Sequence, residues 1–271
     1  RSAAFDGFDA TRDAVWMAEN ETEATHVWSH KLRLVQFFSA MRHFRDALEA
    51  DGACVHYHEL TADRGKDRGR DFAAILKQDM SRLKPNRLIV LEPGDYRVWR
   101  MLETTANELA VPLEVRADRS FYVGIDEFRA YAQARKSLLL EHFYRAMRKQ
   151  KGILVDEHGQ PEGGEWNYDA ANRQPFGKAG PPRIKPPRRF TPDQITKQVA
   201  AMVETRFADH PGRLKYVDMP VTRHQARALL RDFVDHRLPQ FGPFEDAMWT
   251  DAAYLYHSRL SAVINLHLLS P

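Results

Sequence analysis

The first half of this 271-residue sequence predicts an α/β fold built on a doubly wound, mostly parallel sheet, and its last third predicts an all-α fold. Three observations carry this. Up to residue 116, short β-rich runs alternate with longer helical patterns, the signature of βαβ units. A stretch rich in Gly, Pro, Asn and basic residues then runs from about 152 to 189. From Thr191 onward the hydrophobic period is helical throughout.

Taken in order, residues 14–18 (AVWMA) read as a strand. Residues 27–50 read as a helix whose inward stripe is Leu32, Val35, Phe38, Met41 and Leu48, ended by Asp51-Gly52. A strand at 53–60, a polar loop at 61–70 and an amphipathic helix at 72–83 follow. Residues 87–91 (RLIVL) form a strand between Pro85 and Pro93-Gly94, followed by a helix to 110 and a strand at 113–116. Residues 126–150 are expected to be one long helical region. After the linker, Thr191-Pro192-Asp193 is a helix-start signal, and helices are expected at 195–207, 222–233 and 253–269. The last should be buried, because Leu260, Val263, Ile264, Leu266, Leu268 and Leu269 leave almost no polar face.

Composition narrows the classes. With 43% hydrophobic residues the chain can build two modest cores, and two domains are expected. No run approaches the ~18 apolar residues of a membrane span, and the N-terminus has no basic-then-apolar leader layout, so a cytoplasmic protein without membrane contact is expected. The single cysteine, Cys54, excludes an internal disulfide or a multi-thiolate metal site within these residues and reads as a small buried strand residue. A net charge of +3 is too small to diagnose nucleic-acid binding, but its distribution is uneven. Between Gly177 and Phe190 stand Lys178, Arg183, Lys185, Arg188 and Arg189 with no acid. Pro181, Pro182, Pro186 and Pro187 predict an extended path that holds these five cations out along a line, suited to phosphates and equally to a solvated strap.

Parallel sheets bind ligands at the carboxyl ends of their strands, which points to residues 18–23 and 92–95. Glu19, Glu23, His26 and Glu92 gather there; each is equally well explained as part of a charged turn. Neither edge carries GxGxxG or GxxxxGK[ST], so a dinucleotide dehydrogenase and a P-loop NTPase are excluded. His26 and His30 lie four apart and could share one helical face, a spacing that also suits a metal, but no metal site is assigned. His56 and His58 share a strand face and are expected at the surface or a pocket edge. No Ser–His–Asp or Cys–His set is assignable.

Five segments carry a family resemblance: FSAMRHF at 38–44, EPGDYRV at 92–98, WNYDAANRQP at 166–175, FGPFEDAM at 241–248 and HSRLSAVINLHLLSP at 257–271. In this order they resemble the prokaryotic iron–sulfur branch of the photolyase/cryptochrome family, the deoxyribodipyrimidine photolyase-related proteins. The resemblance implies a Rossmann-like α/β antenna domain at 1–125, a connecting helix and linker at 126–190, and the start of a helical FAD-binding domain at 191–271. It also implies that the family's opening strand and roughly the second half of the helical domain are missing, and both ends read as cuts. The 4Fe-4S cysteines and the catalytic residues would then lie beyond Pro271.

Within the chain the resemblance assigns His257, Ser258, Leu260, Ser261 and Asn265 to the FAD diphosphate, where Ser258 either caps a helix or donates to phosphate. Ala262 and His267 depart from the family pattern. Glu23, His26 and Glu92 would hold a 6,7-dimethyl-8-ribityllumazine antenna, and Lys178, Arg183, Lys185, Arg188 and Arg189 would face damaged DNA. The implied activity is electron transfer from excited reduced FAD to a UV photoproduct of the (6-4) type, by a monomer when full length and not by this chain alone. A blue-light receptor of the same fold and a flavin-free nucleic-acid-binding module are the alternatives.

Overall fold

The computed structural model describes residues 2–133 and 135–270. Its strands are β1 (Ala14–Ala18), β2 (Cys54–His58), β3 (Leu88–Leu91) and β4 (Leu113–Arg116). Its helices are α1 (Glu21–Thr25), α2 (Lys31–Ala50), α3 (Phe72–Leu83), α4 (Tyr96–Glu108), α5 (Ile125–Gln133), α6 (Leu140–Lys151), α7 (Gln194–Arg206), α8 (Arg223–His236), α9 (Leu238–Phe241) and α10 (Ser261–Asn265). Contacts divide the chain into two compact units: Arg1–Asp118 with Arg189–Ala226, and Arg119–Arg188 with Arg227–Pro271.

In the first unit the architecture is α/β with small parallel sheets. Helix starts follow capping chemistry: Asp71 Oδ1 accepts from Ala74 N at 2.8 Å before α3, and Asp95 Oδ1 from Arg97 N at 2.8 Å before α4. The helix expected from residue 27 begins instead at Lys31, because the extended His30 caps it, Nδ1 accepting from Leu32 N at 3.1 Å. Gly212 (φ +97°) passes so close that a Cβ there would lie 2.1 Å from His30 Nε2.

Strands β1 and β2 pair in parallel with Ala14 opposite Cys54 and Ala18 opposite His58; β3 and β4 pair in parallel with Leu88 opposite Leu113. The result is two strand pairs instead of one continuous layer, since apolar runs dictate strands but pairing needs a neighbour on each side. Among the described residues β1 and β3 each keep one edge without a strand partner. Alternation puts Trp16 and His58 on the face covered by α3, where Trp16 Nε1 donates to Asp79 Oδ2 at 2.8 Å. Tyr57 points to the opposite face, where Arg45 of α2 lies 5.0 Å over its ring. Cys54, expected to be buried, is exposed: it opens β2, whose outer edge carries no further strand among the described residues.

The core of this unit lies between α2 and α7. Leu34, Val35 and Phe38 pack on Val199, Met202, Val203 and Phe207, with Phe38 and Phe207 stacked at 6.2 Å. His43 Nε2 meets Asp193 Oδ2 at 2.8 Å, and the buried Arg206 joins Asp67 to Glu21. Thus α7, past the linker in sequence, belongs to the same compact unit as α2.

In the second unit the single helical region expected at 126–150 is two helices, α5 ending at Gln133 and α6 beginning at Leu140, with Leu138, Leu139 and Leu140 exposed. Gly152 (φ +66°) ends α6 in the left-handed conformation glycine tolerates. Phe176, Phe244 and Tyr256 form an aromatic cluster, the first two stacked at 4.7 Å. The helix expected at 253–269 is corrected to the short α10. Left-handed Leu255 and His267 (φ 45° and 53°) interrupt the run on either side, and the resulting turns bury Leu260, Val263 and Leu268 while Ile264 stays exposed.

Candidate functional site

The expected ligand edge contains a buried ionic core. Glu19, at the end of β1, is 1% exposed and accepts four hydrogen bonds. These come from Arg42 Nε (2.8 Å) and Nη2 (2.9 Å), Tyr57 OH (2.6 Å) and Leu60 N (2.8 Å). Burial and the adjacent carboxylate push the Tyr57 hydroxyl far up from its ordinary value. Against its own burial, hydrogen bonding to Glu19 raises the Arg42 guanidinium. With its lone pairs engaged, Glu19 holds the strand end together and has little left for a ligand.

Glu23 is placed differently. Asn20 Oδ1 accepts from Glu23 N at 2.8 Å and fixes the start of α1, while the Glu23 carboxylate stays partly open to solvent. Arg97, in the first turn of α4, grips that carboxylate with both Nη atoms at 2.7 Å and also reaches Asp95 Oδ2 at 3.3 Å. Hydrogen bonding to Glu23 raises the Arg97 guanidinium, and the Arg97 backbone N–H lowers the Asp95 carboxyl. The structure therefore brings together Glu23, Arg97 and Asp95. Among the described residues the His26 imidazole and the Glu92 carboxylate make no hydrogen bond or ion pair; His26 is exposed and Glu92 half-buried.

Sequence reasoning missed Arg97 and Arg42. A signal existed for Arg42: it stands four residues after Phe38, on the apolar side of α2. His58, expected at the surface or a pocket edge, is 3% exposed, because α3 and Arg68 cover it. Its Nδ1 faces Arg68 Nε at 3.2 Å, and burial first, then Arg68, lowers its pKa. Among the described residues no group of three or more His, Cys, Asp or Glu is placed to hold a metal, and no helix is long and apolar enough to cross a membrane.

The segment assigned to a flavin diphosphate surrounds the start of α10. Ser258 is not the helix cap: Leu260 is, without a side-chain bond, and Ser258 Oγ accepts from Leu260 N at 3.4 Å. His257 and Ser258 are half-buried, Ser261 and Asn265 exposed and Leu260 buried. Two hydroxyls, an imidazole and an amide suit a phosphate in kind. The five-residue α10, however, is too short to build a full macrodipole, so its N-terminus adds little to these side chains.

The linker is free of helix and strand from 181 to 190, and Lys178, Arg183, Lys185, Arg188 and Arg189 are all exposed. Acids distant in sequence partner some of them. Lys185 Nζ lies 3.6 Å from Asp232 Oδ1 and 2.9 Å from His236 Nε2, while Arg189 Nε lies 3.3 Å from Asp218 Oδ2. Arg188 N donates to Asp232 Oδ2 at 3.1 Å, and buried Arg237 holds the same carboxylate at 2.7 Å. Against burial, Arg237 lowers Asp232. Among the described residues Lys178 and Arg183 make no ion pair. Two surface hollows of about 270 and 240 Å³, lined by residues such as Phe128 and Phe143 or Asp169 and Glu245, include none of the expected site residues.

Comparison with known proteins shows the family. The chain is 40% identical over 268 residues to a protein named (6-4) photolyase from Agrobacterium fabrum strain C58, a match covering 98% of this chain and 52% of the relative. The chain thus spans about half the length of that curated relative. Residues 1–218 match the family model described as deoxyribodipyrimidine photo-lyase-related protein, well over half of the sequence, and the chain belongs to that family.

Proposed function

We propose that this chain serves light-dependent repair of (6-4) photoproducts in DNA. The observation that carries the proposal is the 40% identity to a (6-4) photolyase, sustained over 268 residues instead of being confined to one motif. On this reading the α/β unit is a Rossmann-like antenna domain that holds a ribityllumazine at its strand ends. The segment around Ser258 and Ser261 would contribute to the flavin diphosphate site, and Lys178 and Arg183 would meet DNA phosphates. FAD, when bound, supplies the photochemical electron; the residues here bind and orient. Because the match covers 52% of the relative, the repair chemistry and any 4Fe-4S cluster are assigned to the part of the relative this chain does not match.

The electrostatics agree with an anionic partner. Lys178 and Arg183 project from a helix-free segment with no acid against them among the described residues. The test is light-dependent repair of a (6-4)-containing oligonucleotide by the protein expressed from the complete gene, with flavin absorbance recorded in parallel. Repair under blue light and none in the dark is expected. A flavin-loaded protein that leaves the lesion intact would refute repair and favour a photoreceptor, and a protein without flavin absorbance would refute both.

A further inference from the structure

We infer that Arg97 is a second member of the ligand subsite at the strand ends, one that positions Glu23 and offers donors beside it. The inference rests on the proposal that this edge holds a chromophore, and deepens it. Glu23 follows β1 and Arg97 follows β3, 74 residues apart, yet their side chains meet in a two-pronged pair at 2.7 Å. The carboxyl ends of β1 and β3 are thereby within reach of one ion pair, and each strand has an edge without a strand partner among the described residues. Open α/β sheets take ligands at the carboxyl ends of their strands, which is where this ion pair lies.

The chemistry of the pair specifies the ligand class. A carboxylate offers about four acceptor positions, of which Arg97 uses two, and a guanidinium offers five N–H groups. Three of these are committed, two to Glu23 and one to Asp95. What remains is an open acceptor on Glu23 beside open donors on Arg97, on side chains 31% and 42% exposed. That alternation matches the imide edge of a planar heterocycle, in which an N–H sits beside a carbonyl oxygen: the carboxylate accepts from the N–H and the guanidinium donates to the carbonyl. Arg97 also holds Glu23 in one orientation, since a flexible side chain fixed beforehand loses less freedom on binding. An exposed ion pair contributes little to stability, so replacing Arg97 should leave the fold intact.

The test is titration of the purified chain with 6,7-dimethyl-8-ribityllumazine, followed by ligand fluorescence and by the bound absorption spectrum. Arg97→Gln, Arg97→Lys and Glu23→Gln are compared with the unaltered chain at matched circular dichroism and Tm. Saturable binding by the unaltered chain is expected, weakened about tenfold or more by each neutral variant, as loss of a charge-assisted hydrogen bond implies. Arg97→Lys should restore binding only in part, because an ammonium cannot fork across a carboxylate. The bound spectrum should also shift in Arg97→Gln, which a purely structural role would not produce. Unchanged or tighter binding by Arg97→Gln, with the spectrum unmoved while Glu23→Gln weakens, overturns the role of Arg97 and leaves the chromophore site standing. No binding by the unaltered chain overturns both.

Discussion

Replacing Glu19 by Gln should destabilise the α/β unit by about 3 kcal/mol, the lower end of the cost of breaking a buried ion pair. The magnitude follows from what is left behind. Arg42 keeps Glu59 at 2.9 Å and the Leu60 carbonyl at 2.9 Å, so its guanidinium is not wholly orphaned. It nevertheless loses a two-pronged partner in a site where the Glu19 side chain is fully buried and that of Arg42 only 5% exposed. One of the two carboxylate oxygens becomes an NH2 group, so either the Oε1 side, facing Arg42 Nε and Tyr57 OH, or the Oε2 side, facing Arg42 Nη2 and Leu60 N, loses its acceptor, which adds to the cost. With a urea dependence of about 2 kcal/mol per molar, the midpoint should fall by about 1.5 M. Urea titration followed by tryptophan fluorescence reads this directly. Glu59→Gln, altering a carboxylate on the exposed side of the same cluster, should cost less than about 1 kcal/mol. The double change Glu19→Leu with Arg42→Leu should recover only part of the loss, because no buried charge remains unpaired but Tyr57 OH and Leu60 N lose their acceptor. A midpoint for Glu19→Gln within about 0.5 M of the parent would refute the structural role assigned to this carboxylate.

Three further outcomes are expected. Gly212→Ala should destabilise by about 1 to 3 kcal/mol, since it strains a left-handed position and drives a methyl into the imidazole that caps α2; an unchanged thermal midpoint would show that His30 moves aside freely. The Asp193 carboxyl is lowered: burial opposes this, but bonds from Thr196 and the His43 contact outweigh it. Its contribution is therefore present above the ordinary carboxylate range and lost as pH falls through the depressed folded value, so Asp193→Asn, which keeps a capping oxygen, should flatten part of the stability decline below about pH 4. On the DNA-contact proposal, Lys178→Ala with Arg183→Ala should reduce the logarithmic salt slope of DNA binding by about 2; Lys185→Ala with Arg189→Ala should reduce it less, because Asp232 and Asp218 already partner those cations.

Strand and helix positions in the first half were legible because local chemistry decides them. Asp71, Asp95 and the Asp51-Gly52 stop act within a few residues, and period-2 and period-3.6 patterns act within one element. Residues 253–269 were misread for the complementary reason: an apolar run without a polar face has a strong tendency to be buried but no preferred helical side, and turns at Leu255 and His267 bury it as well as a helix would. The strand-end site was legible as a place and not as a set of partners. Glu19 and Glu23 stand in equally charged surroundings in the sequence, yet one is sealed under Arg42 and the other is held at the surface by Arg97. The linker shows the same limit, since its run of bases contains no acid while Asp218 and Asp232 arrive from elsewhere in the chain.

The edges of β1 and β3 that have no strand partner among the described residues also bear on how the protein behaves at high concentration. A strand edge presents a row of backbone N–H and C=O groups to any extended segment that can lie alongside it. Here the side chains along those edges are Ala14, Val15, Trp16, Met17 and Ala18 on β1 and Leu88, Ile89, Val90 and Leu91 on β3, with no lysine or proline to deter pairing. The apolar character that makes these runs good sheet interior makes them self-complementary when left open. Strand-to-strand association between copies is the expected failure mode of a concentrated stock, and a lysine substituted at Val15 or Ile89 is the direct countermeasure.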